Sequence, residues 1–406
     1  MMKRDTLSLQ SEKTIREVPF PSWPAFAEDE IKVAAEVLAS GKVNYWTGNQ
    51  GRLFEEEFAR KVGCSHGVSV ANGTAALEAA LNALEVKKGD EVIVPARTFV
   101  ATAGSVVACG ARPVFADVDR DSQNVAIDTI KPLISGRTKA IIIVHLAGWP
   151  CDTSSIMRLA AEHGIHVVED CAQSHGAAVN GRAVGSLGDI AVFSFCQDKI
   201  MTTGGEGGMV VTDDERLWKK TWSYRDHGKD YDKVQSASGK GAGFVWLHDS
   251  FGSNLRMTEM QSAIGRVQLG KLDDWVNVRR SYAECLNAAF SGIPALRVTI
   301  PPDGFRHSYY KYYVFIRPEM LKEDWNRDSI VAAVNAEGIP CFTGSCPEVY
   351  RELSFVSAGL APQERLPGAK EVGETSLMFL VHPALEEGEI ADTIGAVEKV
   401  LEAASA

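Results

Sequence analysis

Six short apolar runs, at residues 92–94, 114–115, 140–144, 165–168, 190–195 and 209–212, alternate with segments of helical periodicity. Runs that are apolar throughout suit strands covered by helices on both sides, so the alternation predicts an α/β fold built on a largely parallel, mixed sheet. A helix is predicted over residues 28–39 with Gly41 as its C-cap, after an arm punctuated by Pro19, Pro21 and Pro24. A second helical pattern starts near residue 258, runs to 272 and continues towards 280. These features divide the chain into an N-terminal arm at 1–26, a large three-layer α/β/α domain at 27–265 and a smaller C-terminal α+β domain at 266–406. The polar, glycine-containing stretch 228–243 reads as a mobile loop.

The chemistry centres on Lys199, which follows the run 190–195 and enters the glycine-rich segment Thr203-Gly204-Gly205-Glu206-Gly207-Gly208. An amine placed at a strand end beside such a loop is expected to be held in a cleft, where a Schiff-base lysine belongs. Upstream, the run 165–168 ends in Glu169-Asp170, as a buried parallel strand does when it delivers an acid to its carboxyl edge. Pyridoxal phosphate chemistry needs an acid to keep the pyridine nitrogen protonated, so that the ring can draw electrons from the substrate carbon. Asp170 meets that need, and it equally fits a helix cap or a partner for a neighbouring arginine. Asn72-Gly73-Thr74 precedes a helical pattern carrying Leu77, Ala80, Leu81 and Leu84. Glycine permits close backbone approach, and the free amides of a helix N-terminus favour a phosphate. Ser194 would offer a hydroxyl to the same phosphate.

Together and in this order, these segments resemble the DegT/DnrJ/EryC1/StrS family of pyridoxal phosphate-dependent sugar aminotransferases. The resemblance extends through Trp46-Thr47-Gly48, Asn72-Gly73-Thr74, Pro95-Ala96-Arg97-Thr98-Phe99, Val144-His145-Leu146-Ala147-Gly148, Glu169-Asp170-Cys171-Ala172-Gln173, Asn254-Leu255-Arg256-Met257 and His382-Pro383. It implies the type I fold of these enzymes, with the large domain binding the cofactor. It makes Lys199 the Schiff-base lysine and proton shuttle, and Asp170 the partner of the ring nitrogen. Gln173 would lie towards the phenolic oxygen and Phe99 would stack on the ring, while Gly73, Thr74 and Ser194 would hold the phosphate. Asn254 matches an asparagine that reaches the phosphate from the neighbouring subunit, which implies a homodimer with shared active sites.

Trp46, Trp149, Arg256, Lys311 and His382 are the candidate substrate contacts. Lys311 lies within Tyr309-Tyr310-Lys311-Tyr312-Tyr313 and either meets a sugar-nucleotide phosphate or snorkels from an aromatic strand. His382-Pro383 equally fits the end of a strand. The expected reaction is transfer of an amino group from L-glutamate to a keto-sugar nucleotide, in amino-deoxysugar biosynthesis for a surface polysaccharide or a secondary metabolite. The alternatives are another cyclic keto substrate, such as a keto-inositol or an aminohydroxybenzoate precursor, or a regulator that binds the cofactor without turnover. Dehydratase relatives replace the lysine by histidine, and Lys199 argues against that branch.

Composition bounds the partners. A chain of 406 residues with 45% hydrophobic content can bury a large core, and its net charge of −11 opposes binding to nucleic acid. A local basic pocket for a nucleotide diphosphate stays compatible with that charge. No apolar run approaches the roughly 20 residues that span a bilayer, and residues 1–16 lack the apolar segment of a signal peptide, so a cytoplasmic enzyme is expected. The eight cysteines lack paired CxxC spacing, and no metal site is expected.

Overall fold

The structure, a computed structural model, describes residues 14–237 and 245–406. Its main sheet has seven strands in the order His66–Val70, Gly208–Thr212, Ile190–Ser194, His166–Asp170, Thr138–Val144, Glu91–Pro95 and Arg112–Ala116. Five consecutive strands pair in parallel, whereas Gly208–Thr212 runs antiparallel to both its neighbours. All six predicted runs lie in this sheet, and the strand His66–Val70 adds to them.

Side chains alternate between the faces of a strand, and both faces here are apolar. Val92, Val94, Ile142, Val168 and Val192 pack with the helices Gly73–Ala83 and Val100–Ala108 on one side. Ile93, Ile141, Ile143 and Val167 face the helix Thr153–His163 on the other, and Ala191 and Phe193 pack near Phe54 and Phe58 of Gln50–Val62. Each such fully buried side chain contributes about 1.5–3 kcal/mol relative to exposure. The sheet's carboxyl edge is therefore a rigid platform.

The helix Glu28–Ser40 ends at Gly41, whose φ of 68° is the left-handed C-cap expected there. Thr258 and Gln261 form a reciprocal capping box that starts the helix Glu259–Phe290. This single helix of 32 residues runs from the main sheet into a second core. That core covers a four-stranded antiparallel sheet, ordered Leu296–Arg297, Tyr312–Ile316, Ser376–Phe379 and Cys341–Phe342.

The stretch predicted as a loop departs from expectation. Its residues Tyr231–Ala237 form a helix, because the Tyr231 ring packs on Trp218 at 4.7 Å and on Trp222 at 5.0 Å. Residues 238–243 of that stretch lie outside the described residues, as do residues 1–13 of the arm. The described part of the arm is tied down. Arg16 pairs with Glu389 and Asp392, and Trp23 Nε1 donates to the carbonyl of Lys199 at 2.7 Å. Among the described residues no helix is long and apolar enough to cross a membrane.

Candidate active site

Asp170 and Ser194 end parallel strands, so both reach the carboxyl edge where α/β sheets bind ligands. Asp170 is buried, and its carboxylate accepts hydrogen bonds from Thr102 Oγ1 at 2.9 Å and the Ala172 amide at 3.1 Å. Thr102 in turn bonds Thr98 at 2.8 Å. Burial pushes the Asp170 carboxyl above its ordinary range, against those two donors and the nearby Lys199 side chain. A carboxylate in that position is relieved by a cationic partner.

Gly73 begins the helix Gly73–Ala83, which Asn72 caps by accepting from the Ala75 amide at 2.9 Å. First-turn amides have no partner within their own helix, and they carry the positive end of its dipole. A Cβ on Gly73 would come within 2.7 Å of Ser194 Cβ, so only glycine leaves the helix terminus and the Ser194 hydroxyl facing one small space. Thr74 is exposed beside it, and Phe99 at the head of Val100–Ala108 is 66% exposed. An acid with spare lone pairs, a helix-terminal cradle and an open aromatic face fit a phosphorylated pyridine cofactor.

Lys199 lies on the turn after Ser194, with its amide donating to the Cys196 carbonyl at 3.1 Å. Its side chain is 17% exposed, and Nζ lies 3.0 Å from Asp198 Oδ1 and 3.4 Å from the Tyr310 hydroxyl. Gln173 Oε1 accepts from the Ala147 amide at 2.8 Å, which braces the turn 146–148. That turn receives the Tyr310 amide on the Ala147 carbonyl at 2.8 Å. The structure thus gathers Gly73 and Ser194 in one cluster, with Thr74 next in the chain, and Lys199 with Tyr310 and Asp198 in another.

The candidate substrate contacts divide into three groups. Lys311 and His382 share a cavity of about 530 Å³ with Trp23 and Asp198. Burial draws the Lys311 ammonium down to about 8 and the His382 imidazole to about 3, leaving His382 neutral. Trp46 Nε1 and Arg256 Nη1 both donate to the buried Asp226 carboxylate, at 3.0 and 2.9 Å, together with Lys229 Nζ at 2.9 Å. Asn254 is exposed on the adjoining segment, where the Leu255 carbonyl accepts from the Ala71 amide at 2.7 Å. Trp149 lines a different cavity of about 610 Å³, with Asp119, Arg297 and Phe305.

Sequence reasoning missed Thr102, Trp23, Asp198, Tyr310 and Arg279. The fully buried Arg279 donates to the Tyr309 and Tyr310 carbonyls at 3.4 and 3.2 Å and lies 5.3 Å from the Trp23 ring. Burial draws its guanidinium down to about 9. Three of them had a signal in the sequence: Asp198 adjoins Lys199, Tyr310 adjoins the candidate Lys311, and Thr102 lies three residues after Phe99. His145, Glu169 and Cys171 approach one another as metal ligands do, yet the lone pairs of His145 and Glu169 are taken. His145 Nδ1 accepts from the Cys151 amide, which places its proton on Nε2 towards Glu169, and Glu169 also accepts from the amides of Gly185, Leu187 and Gly188.

A family model for the DegT/DnrJ/EryC1/StrS aminotransferase family matches residues 24–398. The chain is 38% identical over 354 residues to the UDP-N-acetyl-3-dehydro-alpha-D-glucosamine 3-aminotransferase of Acidithiobacillus ferrooxidans, covering 87% of this chain and 89% of that one. It is 36% identical over 299 residues to the GDP-perosamine synthase of Vibrio cholerae, covering 73% and 77%. Among solved structures, an aminotransferase from Psychrobacter cryohalolentis superposes with a TM-score of 0.93 at 49% identity, covering 95% of this chain and 99% of that one. The chain belongs to the DegT/DnrJ/EryC1/StrS aminotransferase family.

Proposed function

We propose that this chain is a homodimeric sugar-nucleotide aminotransferase that moves an amino group from L-glutamate onto a keto sugar attached to a nucleotide. It has the type I fold of pyridoxal phosphate-dependent enzymes, and pyridoxal 5′-phosphate is its cofactor. The observation that carries the reading is a lysine, a buried acid and a glycine-serine cradle at the carboxyl edge of one sheet. The names of its relatives, which act on a UDP-sugar and make GDP-perosamine, support a nucleotide-linked substrate.

When bound, the cofactor supplies the carbonyl that takes up the amine and the ring that draws electrons from the reacting carbon. Gly73, Thr74 and Ser194 would hold its phosphate, Phe99 would cover the ring and Asp170 would keep the ring nitrogen protonated. Lys199 Nζ would release the cofactor to the donor amine, then take the proton from the donor's α-carbon. The same nitrogen would run the reverse transfer on the sugar. Asn254 would reach the phosphate of the partner subunit. Its exposure, and that of Phe251 three residues earlier at 100%, supports a surface covered by a second copy.

Purified enzyme incubated with glutamate and a panel of keto-sugar nucleotides should yield 2-oxoglutarate and an amino sugar nucleotide of matching mass. Conversion of glutamate by the loaded enzyme with no member of the panel aminated would move the acceptor to another cyclic ketone. Failure of the first step would remove glutamate as donor.

A further inference from the structure

The Asp198 carboxylate is where two further side chains of the site meet. Its Oδ1 accepts from Lys199 Nζ at 3.0 Å and its Oδ2 accepts from the Tyr310 hydroxyl, which itself lies 3.4 Å from the same Nζ. Carboxylate, phenol and amine therefore close a triangle. Tyr310 is fixed from behind, because its amide donates to Ala147 and its carbonyl accepts from the buried Arg279. An ion pair between two free surface side chains would mean little. Here the lysine is largely buried and the second partner of the carboxylate is anchored in the scaffold.

We propose that Asp198 is a positioning residue for Lys199, holding Nζ in the site and stabilising positive charge on that nitrogen while Tyr310 fixes the carboxylate. The inference rests on the reading of Lys199 as the residue that bonds the cofactor. A nitrogen that alternates between a free amine and a bonded, positively charged form benefits from a counter-charge already in place. The Tyr310 hydroxyl takes up part of the carboxylate's charge, which moderates its pull on Nζ. Burial pushes the Asp198 carboxyl up, but Lys199, the Tyr310 hydroxyl and Lys311 outweigh it and hold the group below its ordinary range.

The other charged or titratable groups facing this nitrogen sit on separate elements. Lys311 follows Tyr310, Arg279 lies on the helix Glu259–Phe290, Asp170 ends its strand, and His175 is kept neutral by burial that draws it to about 3. Among the described residues, the hydrogen bonds of Nζ go to Asp198 and Tyr310.

The test titrates the pyridoxal phosphate-loaded wild type, Asp198→Asn and Asp198→Glu from about pH 5 to about pH 10 and follows the visible absorption band, which reports protonation of the bonded nitrogen. Asp198→Asn should move the midpoint to lower pH by about one unit or more, since an amide offers no negative charge. Asp198→Glu should return it towards the wild-type value. Tyr310→Phe, which leaves the carboxylate and removes its donor, should move the midpoint the other way and covers the case in which the asparagine variant fails to fold. A folded Asp198→Asn protein with an unchanged midpoint overturns the proposal, and so does an unmoved Tyr310→Phe if the asparagine variant does not fold. Borohydride reduction of the loaded wild type followed by peptide mass spectrometry separates the two readings. Label absent from the Lys199 peptide removes the underlying assignment, whereas label on Lys199 with unmoved midpoints removes only the role of Asp198.

Discussion

At the scale of single residues, the site assigns different kinds of work to Lys199 and Asp170. On the proposed reading, Lys199→Ala removes the nitrogen that moves the proton and leaves the Gly73, Thr74 and Ser194 cradle intact. Steady-state transamination should fall by at least about a hundredfold while the protein stays folded and still takes up the cofactor. Turnover near that of wild type, without an added amine, would require another base. Asp170 makes an opposite prediction for stability and for activity. In the cofactor-free chain burial raises its carboxyl above the ordinary 3.8, so the folded state binds this proton more tightly than the unfolded state. The penalty is absent well below the unfolded value, grows as pH rises through the folded value and is fully present above it. Asp170→Asn should therefore raise the melting temperature of the cofactor-free protein at neutral pH, and the advantage should shrink as the pH falls through the raised folded value and be gone below about 4. The same change should slow both half-reactions about a hundredfold, because an amide cannot hold the ring nitrogen's proton. A cofactor-free variant that melts below wild type at neutral pH would mean that the chain alone stabilises this carboxylate.

At the scale of elements, legibility followed sequence distance. Apolar runs and helix caps are local, so the central strands and the helix Glu28–Ser40 with its Gly41 cap were readable. The strand His66–Val70 was not, since five residues including a histidine, a glycine and a serine carry little apolar signal. Tyr231–Ala237 was read as loop because its stability comes from Trp218 and Trp222 on a neighbouring helix, not from its own polar composition. The same rule governs the site. Lys199 and Asp170 follow apolar runs that announce strand ends, whereas Tyr310 reaches Asp198 across 112 residues and no local pattern records that meeting. The cradle yields a test of its own, for alanine suits a helix's first position. Only the 2.7 Å approach to Ser194 Cβ forbids it. Gly73→Ala should cost the cofactor-free protein about 1–3 kcal/mol of stability, lowering its melting temperature, and weaken cofactor binding about tenfold or more, through the displacement forced on Ser194. Absorbance titration of cofactor-free protein with pyridoxal phosphate measures this, and unchanged affinity would take Gly73 out of the cradle.

At the scale of the whole molecule, the chain leaves Phe251 and Asn254 facing outward. The arm joins the two cores, with Arg16 anchored on Glu389 and Asp392 and Trp23 bonded to the backbone of Lys199. Trp46, Lys229 and Arg256 converge on Asp226, and that network braces the segment from which Asn254 projects. If Asn254 completes the partner's site, the two sites of a dimer share residues in a way that a mixed dimer exposes. Pairing a Lys199→Ala chain with an Asn254→Ala chain then puts both lesions into one site and leaves the other intact. If Asn254 acts within its own chain, each site carries one lesion and only the Asn254-deficient site can turn over. Differently tagged chains, co-expressed and purified by both tags, give the mixed dimer. Provided the Asn254→Ala homodimer is strongly impaired, activity near half that of wild type is the expected result. Activity no better than half that of the Asn254→Ala homodimer would place Asn254 in its own chain's site.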